Sequence, residues 1–271
     1  MKTINPSELS PMQVQMILQT AVAPRPIALA STIDKNENVN PSPFSFYNLF
    51  SSNPPILIFS PARRVRDNST KDTLHNVLEV PEVVIGNVNF DMVQQVSLSS
   101  TEYETGVDEF IKSGLTKKPS ELVKPPLIAE SPVNFECKVI EVKPLGNEGG
   151  AGNLVICEVL KIHIREEFLN EEGNLDQKKL DLVSRLGGNW YGRTTPETLF
   201  EVPKPLVTKG IGFDQLPSEI KNSKIFTGND LGMLANVEQL PEGNFTADEK
   251  VHLEAQKLLL ESKIVEAWKI L

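Results

Sequence analysis

Sulfur and imidazole are scarce in this chain. Its 271 residues include two cysteines and three histidines, and the two cysteines lack the paired spacing of a structural zinc site. Cys137 and Cys157 stand 20 positions apart in stretches that read as consecutive strands. They are expected to be small buried hydrophobes rather than a disulfide. His75, His163 and His252 are scattered, so no metal ligand set is expected. No apolar run approaches the roughly 20 residues of a membrane span, and the opening Met-Lys-Thr-Ile-Asn-Pro lacks the apolar core of a signal peptide. A cytoplasmic protein with no membrane partner is the expectation.

Familiar catalytic motifs are missing as well. The sequence contains no Gly-x-Ser-x-Gly, no His-Glu-x-x-His, no Walker loop and no Gly-x-Gly-x-x-Gly after a strand. Gly149-Gly150-Ala151-Gly152 lies between two strand-like stretches instead of ahead of a helix, so it does not read as a dinucleotide-binding turn. With no nucleophile–base set, no catalytic side chain is assigned. Demanding chemistry would then fall to a bound cofactor. Positive charge is short too: 27 Lys+Arg oppose 36 Asp+Glu, a formal charge of −9. That balance argues against nucleic acid, which needs a broad basic face.

Against this acidic background, residues 59–73 stand out. The segment Phe-Ser-Pro-Ala-Arg-Arg-Val-Arg-Asp-Asn-Ser-Thr-Lys-Asp-Thr holds four cations (Arg63, Arg64, Arg66, Lys71) and two acids (Asp67, Asp72). It follows a strand-like run, Pro55 to Phe59, and leads into a short helix from Thr73 to Leu78, with Ser69 or Thr70 as the expected cap. A strand, an Arg-, Ser- and Thr-rich turn and a helix N-terminus together suit a phosphate; the plainer reading is a solvated loop with surface arginines. A phosphorylated cofactor would account both for this turn and for the missing catalytic set.

Two further stretches bear on a ligand. Asn40-Pro41-Ser42-Pro43-Phe44-Ser45-Phe46-Tyr47 combines prolines, which leave backbone groups unpaired, with hydroxyls and aromatics. Such a bent strand can offer polar groups to the edge of a flat heterocycle while an aromatic packs nearby; otherwise it is an edge strand with core aromatics. Arg185-Leu186-Gly187-Gly188-Asn189-Trp190-Tyr191-Gly192-Arg193 has a Gly-Gly bend followed by two aromatics, which suits a loop closing over an aromatic ligand or a barrel plug.

The rest of the chain reads as mainly β. A helix is expected over residues 7–20 with Ser7 or Ser10 as cap, and a strand over 27–33 with a hairpin turn at 34–38. A second, irregular strand is expected over 39–50, whose Pro41 and Pro43 exclude a fully paired central position. A further strand spans 83–88, helical turns lie near 92–98 and 108–112, and two long alternating strands cover 133–142 and 153–163 around a glycine-rich hairpin. No β-α-β alternation is present, so an antiparallel barrel, closed or nearly closed, fits better than a doubly wound sheet. Beyond about residue 200 the stretch is loop-rich. Residues 246–271 read as one helix with a capping box at Thr246-Ala247-Asp248-Glu249 and an apolar side from Leu253, Leu258, Leu259 and Leu260.

Over about residues 15–200 the chain resembles flavin reductase-like proteins with an FMN-binding split barrel. The carrying pieces are Ala23-Pro24-Arg25-Pro26-Ile27-Ala28-Leu29-Ala30-Ser31-Thr32, Asn40 to Phe46, Asn53-Pro54-Pro55 to Ser60, Lys71-Asp72-Thr73 and Gly187-Gly188-Asn189-Trp190-Tyr191. The resemblance implies a six-stranded antiparallel Greek-key split β-barrel with peripheral helices, forming a homodimer with FMN at or near the subunit interface. Carried over by motif, Ser42, Pro43, Phe44, Ser45 and Phe46 line the isoalloxazine edge. Phe59, Ser60, Arg63, Arg64, Lys71, Asp72 and Thr73 surround the phosphate end. Ser31 and Thr32 lie under the ring, and Trp190 or Tyr191 approaches it.

A flavoprotein oxidoreductase of the NAD(P)H-dependent flavin reductase type follows, with hydride arriving at flavin N5 and NADH or NADPH as co-substrate. One departure counts against nicotinamide use. Compact nicotinamide-dependent members carry Gly-Asp-His where this chain has Gly150-Ala151-Gly152-Asn153. That favours the alternative of a non-enzymatic flavin carrier, or a flavoprotein with another donor. An unrelated β-barrel interaction domain, its basic turn gripping an acidic partner, is a third reading. The expected domains are 1–203, which binds FMN, and 204–271, a helical C-terminal extension packing on the barrel or a partner subunit.

Overall fold

The computed structural model describes residues 1–104, 106–205 and 209–271. Two units make up the chain, Met1–Leu199 and Phe200–Leu271. The expected extension, 204–271, includes positions 206–208, which lie outside the described residues.

The first unit opens with α1 (Pro11–Ala21), which Ser10 starts through a capping box with Gln13. There follow β1 (Ala28–Ile33), β2 (Val39–Phe44), β3 (Tyr47–Ser52), β4 (Pro55–Phe59), α2 (Asp72–Glu79) and β5 (Glu82–Asn87). Next come α3 (Val93–Leu98), α4 (Glu109–Ser113), the short β6 (Lys117–Lys118) and β7 (Leu127–Ile128), then the long hairpin β8 (Val133–Pro144) and β9 (Asn153–Ile164). The unit closes with α5 (Gln177–Leu180), β10 (Val183–Arg185) and β11 (Tyr191–Arg193). It is mainly antiparallel sheet with peripheral helices.

Seven strands form one sheet in the order β2-β1-β5-β8-β9-β4-β3. The edge strands β2 and β3 are consecutive in the chain, separated only by Ser45 and Phe46. Three peptide steps span at most about 11 Å, so the sheet must curl until its two edges meet at this corner. No ladder joins them among the described residues, and the curl stays split rather than closed.

The single irregular strand expected over 39–50 is thus two strands on opposite edges, which raises the implied six strands to seven. The physical reason lies in the prolines. Pro41 and Pro43 pair with Ser31 and Leu29 of β1 on one side only, as residues lacking an N–H must on an edge.

Burial on both faces explains the nearly uninterrupted apolar run of β1. Ala28 and Ala30 face the interior of the curl with Phe44, Phe59, Cys137 and Cys157, capped by Leu74 and Val77 of α2. Leu29 faces the other way, into a second cluster with Met92, Val96 and Phe110 from the α3–α4 region. Both cysteines are free and buried, and burial pushes the Cys137 thiol up to about 12.

The second unit has its own core. It contains α6 (Ser218–Lys221), α7 (Gly228–Leu234), α8 (Glu249–Leu260) and α9 (Ile264–Ile270), packed around Ile220, Leu234, Leu259 and Trp268. The one helix expected over 246–271 is two, because Ser262 takes a left-handed φ of 59° and turns the chain. The side chain of Asp248, not a Thr246 box, caps α8. Its buried side is His252, Ala255 and Leu259, whereas Leu253 and Leu260 are exposed. No helix among the described residues is long and apolar enough to cross a membrane.

Candidate functional site

Two recesses in the first unit share the strand β2. The smaller is a candidate anion pocket in which Arg64 and Lys71 stand with Asn40, Ser42 and Thr73, and also with the acids Asp72, Glu102 and Glu109. It sits where the basic turn enters α2, whose N-cap is Lys71, with no side-chain cap bond. The expected caps are engaged elsewhere. Ser69 Oγ meets Asp67 and Arg64, and Thr70 Oγ1 lies 2.7 Å from His75 Nε2. The first N–H groups of α2 are therefore free of side-chain competition, which suits an anion.

Lys71 supplies the best-placed charge. Its Nζ donates to Ser42 Oγ at 3.0 Å and lies 5.3 Å from the centre of the Phe44 ring. Burial, and then the nearby Arg64, lowers its pKa. An ammonium so desolvated gains from an anionic partner. Arg64 donates to Glu102 Oε1 at 2.9 Å and to Ser69 Oγ at 2.8 Å, and Arg66 ion-pairs the other Glu102 oxygen. The Glu102 carboxylate thus occupies one nitrogen each of Arg64 and Arg66.

The larger recess is a cleft of about 570 Å³ lined by Pro43, Phe44, Ser45, Arg185, Asn189 and Tyr191. Ser100 lines both recesses, and β2 lends Ser42 to one and Pro43 to the other, so the two adjoin. The β10–β11 hairpin forms part of the cleft wall and is fastened to the chain entering β1. Arg25 and Arg185 exchange backbone hydrogen bonds at 3.1 and 2.8 Å. The buried Arg25 guanidinium also donates to the carbonyls of Gln19, Val22 and Leu186, and at 3.5 Å to Ser45 Oγ. Gly187 is required in this hairpin, since a Cβ there would sit 2.2 Å from Thr20 Oγ1.

Of the residues expected from the sequence, Ser42, Arg64, Lys71, Asp72 and Thr73 meet in the anion pocket, and Pro43, Phe44, Ser45 and Tyr191 in the cleft. The others are placed apart. Ser31 and Thr32 have no exposed surface and, as strand neighbours, project to opposite faces, so one ring cannot lie on both. Thr32 sits a layer below the pocket, accepting from Asn76 Nδ2 and donating to the Asn40 carbonyl. Phe59 is wholly inside the curl, its ring 5.2 Å from that of Phe44. Phe46 turns to a different recess, under α1. Arg63 folds onto the carbonyl of Asn68, Ser60 is covered beside Gly152, and Trp190 points outward, 77% exposed.

Sequence reasoning missed the floor supplied by Ser99, Ser100, Glu102 and Glu109. Only the excess of short polar residues around position 100 hinted at it. Among the described residues no group of His, Cys, Asp or Glu is placed to hold a metal.

Residues 21–181 match the model of the flavin reductase like domain. The chain belongs to this family. An uncharacterised protein of Halalkalibacterium halodurans is 38% identical over 208 residues, covering 76% of this chain and 98% of its own. Among solved structures, nitrilotriacetate monooxygenase component B from Bacillus cereus superposes with a TM-score of 0.69 at 27% identity, over 74% of this chain and 98% of its own. The 2-nitrobenzoate 2-nitroreductase of Pseudomonas fluorescens gives 0.67 at 27%, over 77% and 100%. The family match ends before β10 and β11, which complete the cleft.

Proposed function

We propose that the protein is an FMN-binding flavoprotein oxidoreductase, a Greek-key split barrel that works in the cytoplasm as a homodimer. One observation carries this reading. A pocket with a desolvated lysine, a guanidinium and an uncapped helix start adjoins, along β2, a cleft large enough for a flat ring. The donor set fits the group: Lys71, Arg64 and the α2 N–H groups for a phosphate, and Pro43, Phe44, Ser45 and Tyr191 for an isoalloxazine. Asp72 suits ribityl hydroxyls better than phosphate, because it accepts only. The domains in this reading are 1–203 for the flavin and 204–271 as an extension.

Bound FMN would supply hydride acceptance at N5 and onward electron transfer. The chain's own part is to bind and orient. Arg25 holds Ser45 and the β10–β11 hairpin in place. Arg185, whose guanidinium carbon lies 4.6 Å from the Tyr191 ring centre, fixes that aromatic at the cleft mouth. Phe44 and Pro43 exclude water from one side. No side chain is asked to act as a general base. A second copy of the chain would cover α1, which buries no residue, and the outer edge β3 with its exposed Leu49 and Phe50.

A second reading, a flavin carrier or a flavoprotein with a non-nicotinamide donor, is favoured by Asn153. At the start of β9, in the stretch Gly150-Ala151-Gly152-Asn153 that lacks a Gly-Asp-His, this buried amide donates to the Pro61 carbonyl at 3.0 Å. Visible spectra before and after anaerobic NADH or NADPH decide between the two. Flavin bands that bleach at a useful rate are expected for a reductase. Bands that persist support the carrier, and a protein that ignores added FMN overturns both.

A further inference from the structure

Glu109, the first residue of α4, lines the anion pocket together with Lys71, Arg64, Thr73 and Asn40, yet only 7% of it is exposed. Its two oxygens are in different situations. Oε1 accepts from Asn40 Nδ2 at 2.9 Å, and Asn40 in turn accepts from Thr73 Oγ1 at 3.1 Å. Oε2 is buried and has no hydrogen-bond partner. An ionised oxygen left that way is costly, whereas a protonated one brings a donor of its own.

The charges around this carboxyl come from several elements. Asp108, which caps α4, is paired with Lys117 of β6. Asp72 and Lys71 face it from the start of α2, Arg64 from the basic turn, and Glu102 and Tyr103 from the segment after α3. Glu102 is itself held by Arg64 and Arg66, Lys112 lies over Tyr103, and His75 of α2 is bonded to Thr70. Burial above all, then Asp72 and Asp108, pushes the Glu109 carboxyl up to about 7, against its own backbone N–H and Lys71.

We propose that Glu109 makes this pocket proton-dependent: neutral, it leaves a bound phosphate monoester unopposed, and ionised, it repels that phosphate. The inference rests on the pocket being the flavin phosphate site and specifies the state in which the ligand is held. The sign follows from linkage. A bound phosphate holds the carboxyl proton more tightly than the free protein does, so binding takes up a proton. Affinity is full below the free protein's titration point and falls as pH rises through it. The phosphate's own second ionisation, near about 6, is common to the wild type and its variants. So is the loss of charge by Lys71 at higher pH.

Calorimetry with FMN and with riboflavin tests this, in paired buffers of different ionisation heat, on the wild type and Glu109→Gln. For the wild type near pH 7.5, uptake approaching one proton is expected. Its FMN affinity should fall by up to roughly tenfold per pH unit above that point, while Glu109→Gln changes by less than about twofold and takes up no such proton. FMN preferred over riboflavin with the same pH profile and proton uptake in both proteins overturns the role of Glu109. Equal affinity of the wild type for FMN and riboflavin at every pH overturns the phosphate reading beneath it. Should Glu109→Gln fail to fold, the wild type alone decides: FMN binding without proton uptake near neutrality sinks the proposal.

Discussion

Lys71 Nζ donates to Ser42 Oγ at 3.0 Å, joining the start of α2 to the sheet edge β2 across 29 positions of chain. The bond holds a cation at the boundary between the anion pocket and the cleft. Lys71→Ala should therefore weaken FMN by about 10- to 100-fold, the worth of one charge-assisted hydrogen bond, and leave riboflavin nearly unaffected. Quenching of flavin fluorescence measures both ligands. Equal losses would remove Lys71 from the phosphate end.

Glu102 competes for the arginines. Because its carboxylate engages both Arg64 and Arg66, Glu102→Gln should free their guanidinium groups and tighten FMN by about three- to tenfold, less at high salt. Weaker binding in this variant would mean that Glu102 orders the turn for the ligand instead of occupying its place.

Glu136 of β8 is a structural counterpart with no surface exposed. It accepts from the backbone N–H groups of Glu121, Leu122 and Val123 and pairs with His163 Nε2 at 2.6 Å. Burial alone would raise its pKa, but these donors outweigh burial and hold it below the ordinary value. A carboxylate with a depressed folded pKa contributes stability above its unfolded pKa, about 4.3, and loses it as pH falls through the folded value. Glu136→Ala should cost about 2–4 kcal/mol at pH 7, and the deficit should shrink in acid denaturant titrations below about pH 4.

The second unit can be followed through its own tryptophan. Trp268 is buried and donates to the Leu234 carbonyl at 3.2 Å, whereas Trp190 is exposed. In a Trp190→Phe background, Leu259→Ala should lower the Trp268 fluorescence transition by about 2–5 kcal/mol. Flavin affinity should stay unchanged if the extension only packs.

Much of the first unit was legible because its signals are local. The apolar runs of β1, β4 and β5, the alternation in β8 and β9, and a serine cap at the head of α1 depend on residues a few positions apart. The misplacements have local causes too. A single left-handed residue, Ser262, divides the last helix, and a two-residue corner at Ser45-Phe46 separates β2 from β3. Neither serine nor phenylalanine announces such a turn.

By itself the sequence determined that this is a mainly antiparallel protein with one basic, hydroxyl-rich turn leading into a helix, and that it belongs among flavin reductase-like proteins. Periodicity and motif order are properties of the chain. Only the tertiary structure decided which of those residues share a surface. Curling the sheet brought Lys71 beside Ser42, buried Phe59 and Thr32 beneath the recesses, and turned Phe46 and Trp190 away from them. It also linked Glu109 to Asn40 and, through it, to Thr73, both more than thirty positions away in the chain. Distances between strands that are far apart in the chain come from ladder pairing and burial, and no local pattern encodes them.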